Sequence, residues 1–290
     1  MPGAAGARAS PVGEARALQI GVADIRSVGG QESALDRPRR PAARRLRATT
    51  LVQLLVKDLT RGGVAAAVRE QGPIEGAAAL VHILAGPPSA DDERLLREAV
   101  LARLPIVAVV PSAADVPGHL PYVLDENVVR VAGGAGFPVE RIAERLARTL
   151  GESATPLAAR LPALREAVCE EVIRRFSRRN GVIGVVVFIP GADLPILTLN
   201  QIRMVLRIAD AHGFEIDRER LPEVLAVIAS GFGFRALARR SVGLIPFVGW
   251  AIKGGFAYVG TRALGEAAIR YFEQRAPVTK VAGERVRFPS

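Results

Sequence analysis

The chain has 290 residues, 49% of them hydrophobic and 23% charged, enough apolar material for two cores at roughly 100–200 residues per domain. One cysteine, Cys169, excludes an intramolecular disulfide framework and a zinc site built on several thiolates, and three scattered histidines leave little for a His-based metal site or triad. The net charge of +10 is uneven: residues 1–47 carry nine Arg against four acids, 48–159 ten basic against thirteen acidic side chains, and 160–290 twenty against twelve. Basic ends around a mildly acidic middle call for an anionic partner, whether phospholipid headgroups, nucleic acid or an acidic protein.

Residues 1–47 show no sustained period, and the run Arg37-Pro38-Arg39-Arg40-Pro41-Ala42-Ala43-Arg44-Arg45 joins prolines to like charges. They are expected to form a disordered basic tail. The first apolar cluster, residues 17–23, is too short and polar for the apolar core of a signal peptide, so no export is expected. From 48 to 150 helix and strand patterns alternate. Leu51, Leu54, Leu55 and Leu59 fall at helical spacing before Gly62-Gly63. Residues 77–85, 106–110 and 128–132 are short apolar runs of the kind buried on both faces of a parallel sheet. Ser89 is placed to cap the helix between the first two, and another helix starts near Pro138. This pattern predicts a small parallel doubly wound sheet.

From Gly151 the strands give way to helices, with residues 151–156 read as a linker. Pro162 opens a helix expected to end in Arg174-Arg175-Phe176-Ser177-Arg178-Arg179, before Asn180-Gly181. Thr198 with Gln201 matches a capping box for the next helix, which Gly213 closes. A helix over about 218–229, a break at 231–233 and a long helix over about 247–274 complete an all-α half, followed by a basic tail at 276–290.

Phosphate-binding signatures decide whether the parallel unit is a nucleotide site. A P-loop needs Gly-x4-Gly-Lys-Ser/Thr, and none of Lys57, Lys253 or Lys280 follows a glycine, so that loop is absent. Gly133-Gly134-Ala135-Gly136 stands between a strand and a helix start, where an anion can bind, yet a glycine-permitted turn explains it as well. Asp115 stands where Asn-Lys-x-Asp would read guanine, without the Asn or Lys. Gly133, Gly134, Gly136 and Asp115 are therefore the cofactor-site candidates, and no cofactor is expected. There is no Gly-x-Ser-x-Gly elbow and no His-Glu-x-x-His. His82 reads as a packed histidine. Asp91-Asp92-Glu93 and Glu170-Glu171 read as solvated helix turns or faces.

Two apolar stretches carry more information. Residues 181–199 hold one charge, Asp193, in nineteen positions, and residues 242–261 hold one, Lys253, in twenty. Each nears the ~20 residues that span a bilayer, and each is broken by Gly, Pro and a charge. A buried helical hairpin or an interfacial segment fits the same residues. The basic cluster Arg174, Arg175, Arg178 and Arg179 directly precedes the first stretch, as a juxtamembrane cluster does, and equally as a helix C-terminus does. Gly254, Ala257, Thr261, Gly265 and Ala268 draw a small-residue stripe that lets helices approach closely, beside the i,i+4 pair Arg262–Glu266. Nucleic acid is the weaker partner, since aromatics are 5% and no recognition motif accompanies the arginines.

Three ordered motifs, Ile189-Pro190-Gly191-Ala192-Asp193-Leu194-Pro195, Leu197-Thr198-Leu199-Asn200-Gln201 and Ile245-Pro246 with Thr261-Arg262-Ala263-Leu264-Gly265, resemble the YcjF-like domain of unknown function over about 165–273. That family occurs behind Era-type GTPase domains and in stand-alone bacterial proteins often described as membrane-associated. The resemblance implies a helical domain over 160–275 behind a GTPase-like neighbour, here a degenerate P-loop-GTPase-like unit over 48–150 without its P-loop. The expectation is a non-enzymatic, cytoplasmic bacterial protein held at the inner membrane by an anionic surface or a membrane protein. A nucleotide-binding regulator and a soluble scaffold with a protein partner are the alternatives. Asp193, Asn200, Lys253, Arg262, Glu266 and the four arginines are the interaction candidates. Asp193, Lys253 and Arg262 are those expected to need partners if buried.

Overall fold

The computed structural model describes residues 17–21, 40–70, 74–84, 86–111, 116, 118–132, 136–186, 194–216, 221–228, 249–275 and 286–287. Five strands form one wholly parallel sheet: β1 (Ala17–Gly21), β2 (Val68–Glu70), β3 (Ala77–Ile83), β4 (Ile106–Pro111) and β5 (Val128–Val131), in the order β2-β1-β3-β4-β5. This is a doubly wound order whose direction reverses between β1 and β3.

Alternation along the strands divides the core. Leu18, Ile20, Val81, Ile83, Val107, Val109 and Val129 face α1 (Arg40–Leu59) and α3 (Val139–Leu150), which contribute Val52, Leu55, Leu59, Ile142 and Leu146. Leu80, Ile106, Ala108 and Val110 point the other way, onto Leu96 and Ala99 of α2 (Ala90–Leu101) and onto Leu120 and Val123. Ser89 caps α2 in a reciprocal box with Asp92, as its position requires.

The helical half comprises α4 (Thr155–Arg160), α5 (Arg165–Val186), α6 (Leu194–Ala211), α7 (221–228) and α8 (Gly249–Arg275). It is not set apart by a separate core. One apolar cluster runs from Leu18 and Val81 through Leu157, Leu161 and Leu164 to Ile173, Val205 and Phe272. α5 is the central helix and packs chiefly on α8. Two short strands, β6 (Phe214–Glu215) and β7 (Val286–Arg287), pair in parallel.

Several sequence expectations need correction. The stretch 1–47 is not tail throughout: Ala17–Gly21 is the strand between β2 and β3, and α1 begins at Arg40. Its core residues Leu18 and Ile20 alternate with Gln19 over too few positions to register as a period, and only pairing on both edges makes it a strand. Residues 151–156 are no linker, because Gly151, Ala154 and Thr155 are buried in a 3-10 turn and the start of α4. α5 does not stop at Arg179 but continues through Asn180-Gly181 to Val186. α6 starts at Leu194, so Thr198 lies inside the helix and caps nothing. The tail at 276–290 contains β7; the break at 231–233 lies outside the described residues.

The apolar stretches are divided between elements. Residues 181–186 end α5, 194–199 begin α6, and 249–261 begin α8. Among the described residues no helix is long and apolar enough to cross a membrane.

Candidate functional site

The cofactor candidates at the sheet offer little. Gly133, Gly134 and Asp115 lie outside the described residues, and Gly136 has open space around it. α3 begins at Pro138 without a side-chain cap.

α5 carries a more organised surface. At 3.6 residues per turn, Arg174, Arg178, Val182 and Val185 fall within an arc of about 80°, and about 16 Å of helix rise separates the first from the last. Arg175 and Arg179 lie to one side of this arc, about 20° and 60° past its edge, and Arg175, Arg178, Arg179, Val182 and Val185 are all exposed. One helix face therefore passes from guanidinium to bare aliphatic side chain in three turns.

Glu171 organises the basic part. It was read from sequence as a solvated residue, yet it is 5% exposed and sits under two arginines. Arg174 donates Nε and a terminal nitrogen to its two carboxylate oxygens at 2.7 and 2.6 Å, and Arg175 Nε donates to Oε1 at 2.6 Å. Arg175 also donates to the Arg148 carbonyl at 2.9 Å, closing the C-terminus of α3. Gly151 has φ +60°, and a Cβ there would lie 2.5 Å from the Arg175 guanidinium, so glycine permits both the turn and the approach.

Where α5 turns apolar, three helices meet. Asn180 Nδ2 donates to Thr261 Oγ1 at 2.8 Å, and Asn200 Nδ2 donates to Asn180 Oδ1 at 2.8 Å. All three residues are buried. At the other end of α5, Arg165 Nε donates to the Ala211 carbonyl, while midway Gly265 lies against Ile173. Together these contacts set α5 antiparallel to both α6 and α8. The C-terminus of α5 and the N-terminus of α6 thus lie at one end, about 9 Å of helix rise beyond the Asn180–Asn200–Thr261 hydrogen bonds, and α8 runs about 18 Å beyond them. That end exposes Val182 and Val185 from α5, Ile196 and Leu199 from α6, and Phe256 and Val259 from α8.

The remaining candidates distribute as follows. Asn200 is a buried bundle residue. Arg262 is not a buried charge: it is partly exposed, 2.9 Å from Glu266 and 3.5 Å from Glu170. The charge of Glu170, aided by that of Glu266, raises its pKa above the ordinary value against the opposing effect of burial. Asp193 and the side chain of Lys253 lie outside the described residues. Thr261, Gly265 and Ala268 of the small-residue stripe are buried, and a Cβ on Gly265 would lie 2.5 Å from Ile173 Cγ1.

No match is found among protein-family models, curated proteins or solved structures. What the chain does must be read from its own geometry.

A second polar cluster lies at the sheet. His82 is fully buried, and its Nε2 donates to Asp92 Oδ1 at 2.8 Å. Asp92, read from sequence as solvated, is buried; its other oxygen accepts from the Ser89 amide at 2.8 Å and hydroxyl at 2.6 Å. Burial pushes its pKa upward, but His82 and Ser89 together outweigh burial and hold it below the ordinary 3.8. His82 Nδ1 and Gln19 Oε1 are both buried without a hydrogen-bond partner among the described residues. Gln19 pairs with Leu80 across the β1/β3 boundary, so Gln19, Leu80 and His82 share one face.

Sequence reading missed Asn180, Thr261, Phe256 and Val259 as members of one end of the bundle. Asn180 beside Gly181 reads as a helix stop. Only the tertiary partners reveal a continuous helix.

Proposed function

We propose that the chain is a membrane-docking protein that binds an anionic lipid surface with the end of its helical half. The observation that carries this reading is the single face of α5 on which Arg174 and Arg178, with Arg175 beside them, lead into Val182 and Val185. An apolar tip seated in the headgroup–acyl boundary, about 5–10 Å deep, leaves the arginines level with lipid phosphates. Each arginine near such a surface contributes about 1 kcal/mol. The exposed aliphatic and aromatic side chains on α6 and α8 widen the tip. The resemblance to the YcjF-like domain supports the same reading, with the parallel sheet as remnant of a GTPase-like domain. The role is adaptor-like and non-enzymatic, at the inner face of a bacterial membrane.

Flotation of the full chain with vesicles tests this. Vesicles containing phosphatidylglycerol should carry the protein upward, and neutral phosphatidylcholine vesicles should not. Val182→Asp should reduce flotation severalfold, and high salt should weaken it by screening. Equal recovery with both vesicle types, or no effect of Val182→Asp, would overturn the reading.

A specific observation also favours a second reading, a small-molecule regulator. Doubly wound sheets take ligands at the carboxyl ends of their strands, where the order reverses. The unpartnered His82 Nδ1 and Gln19 Oε1 stand beside that boundary. A rise in melting temperature with GTP, GDP or ATP that is lost in His82→Ala would support it; no shift with any of them would remove it.

A further inference from the structure

A cavity of about 530 Å³ opens between the end of α3, the 3-10 turn at Asp125–Asn127 and the middle of α5. Arg145, Arg148, Arg174 and Arg178 line it with Asn127 and Thr149, against one acidic lining residue, Glu126. Arg174 is engaged by Glu171, and Arg148 reaches Glu144 at 3.7 Å. Arg145 and Arg178 make no ion pair among the described residues. The C-terminus of α3 adds roughly half a negative charge here and Glu126 a full one, which the two unpaired guanidinium groups still outweigh.

We infer that this cavity binds a dianionic phosphate, as a phosphate monoester or a pyrophosphate. Two unpaired guanidinium groups offer forked N–H donors that match the oxygens of a tetrahedral dianion. A phosphate monoester presents three terminal oxygens to these two forks, and a phosphodiester only two. The room exceeds that of one phosphate, so the ligand extends beyond its charged group. Arg178 also belongs to the face that leads to the apolar tip, only about 6 Å of helix rise before Val182. In naming a lipid, the inference rests on the docking reading: the preferred lipid would carry a terminal phosphate monoester. The pocket chemistry itself does not depend on docking.

The test is calorimetric titration of the full chain with pyrophosphate, beside flotation with phosphatidic acid and phosphatidylglycerol vesicles matched in surface potential. The expected result is saturable one-to-one binding, weakened roughly tenfold or more by Arg145→Gln or Arg178→Gln. Arg97→Gln, exposed on α2 and outside this cavity, should leave it unchanged, and circular dichroism checks that each variant keeps its fold. Absence of saturable binding, or binding indifferent to Arg145→Gln and Arg178→Gln, would overturn the inference whatever the vesicles do. With binding established, a preference for phosphatidic acid that pyrophosphate competes away identifies a lipid headgroup as the source. Indifference between the two lipids identifies a soluble phosphorylated ligand. Failure to float with any vesicle removes the docking reading alone.

Discussion

Asn180 and Thr261, eighty-one positions apart, share a buried hydrogen bond of 2.8 Å that joins α5 to α8, and Asn200 of α6 completes it. The three side chains fix the axial register of three helices whose other contacts are mostly apolar and tolerant of sliding.

Asn180→Ala removes one member, leaves Asn200 Nδ2 short of a partner and leaves Thr261 Oγ1 only the longer bond from Gln201 Nε2 at 3.4 Å. The expected loss is about 1–3 kcal/mol in urea unfolding. Asn200→Ala should cost less when added to Asn180→Ala than alone, because the pair is already broken. Fully additive losses would show that the residues act independently.

Gly265 of α8 lies against the Ile173 side chain of α5, with no room for a Cβ. Gly265→Ala sets a methyl group against Ile173 and should destabilise by about 1–3 kcal/mol. Ile173→Ala in the same chain should recover part of that loss, since it removes the atoms the new Cβ meets. A neutral Gly265→Ala would mean the helices separate at no cost.

Cys169 lies in the core beside His212, with Sγ 4.0 Å from Nδ1. Burial pushes its thiol up to about 12 from the ordinary 9.0, outweighing the nearby Arg165 charge. The folded state therefore holds the proton more tightly. The resulting stability is complete below pH 9.0 and is lost as pH rises through about 12. Cys169→Ala should flatten the alkaline limb of the stability profile, and a thiol reagent should label the native protein only at the rate of opening.

Asp92 works in the opposite direction. Its lowered pKa gives stability that is present above 3.8 and disappears as pH falls through the folded value. The stability difference between the native protein and Asp92→Asn should therefore be largest at neutral pH and shrink on acidification. A difference that grows in acid would contradict the His82–Asp92 arrangement.

What the sequence made legible was set by how local each signal is. β3, β4 and β5 announce themselves as dense apolar runs, and Ser89 as a cap, because burial on both faces and capping are written within a few residues. β1 is short, and its middle residue Gln19 is polar. Its strand identity comes from two neighbours more than forty positions away. Asp92 and Glu171 looked solvated because first-turn acids and Glu pairs usually are. His82 and the two arginines that bury them lie one strand or one helical turn away. The arginine cluster was visible as charge, but Arg145 and Arg148 join it only because α3 ends beside α5. The two apolar stretches were legible as apolar, yet nothing local divides them among α5, α6 and α8.

The place of β1 has a consequence for the order in which the chain assembles. It is made first and lies between strands made later, so Leu18 must remain unpaired until Val68 and Ala79 have left the ribosome. Pairing β1 with both neighbours joins segments about fifty and sixty positions apart, a non-local step that slows folding and leaves an apolar strand unprotected meanwhile. Of this sheet, Ala17–Gly21 is the segment whose apolar side chains wait longest for their native neighbours during synthesis.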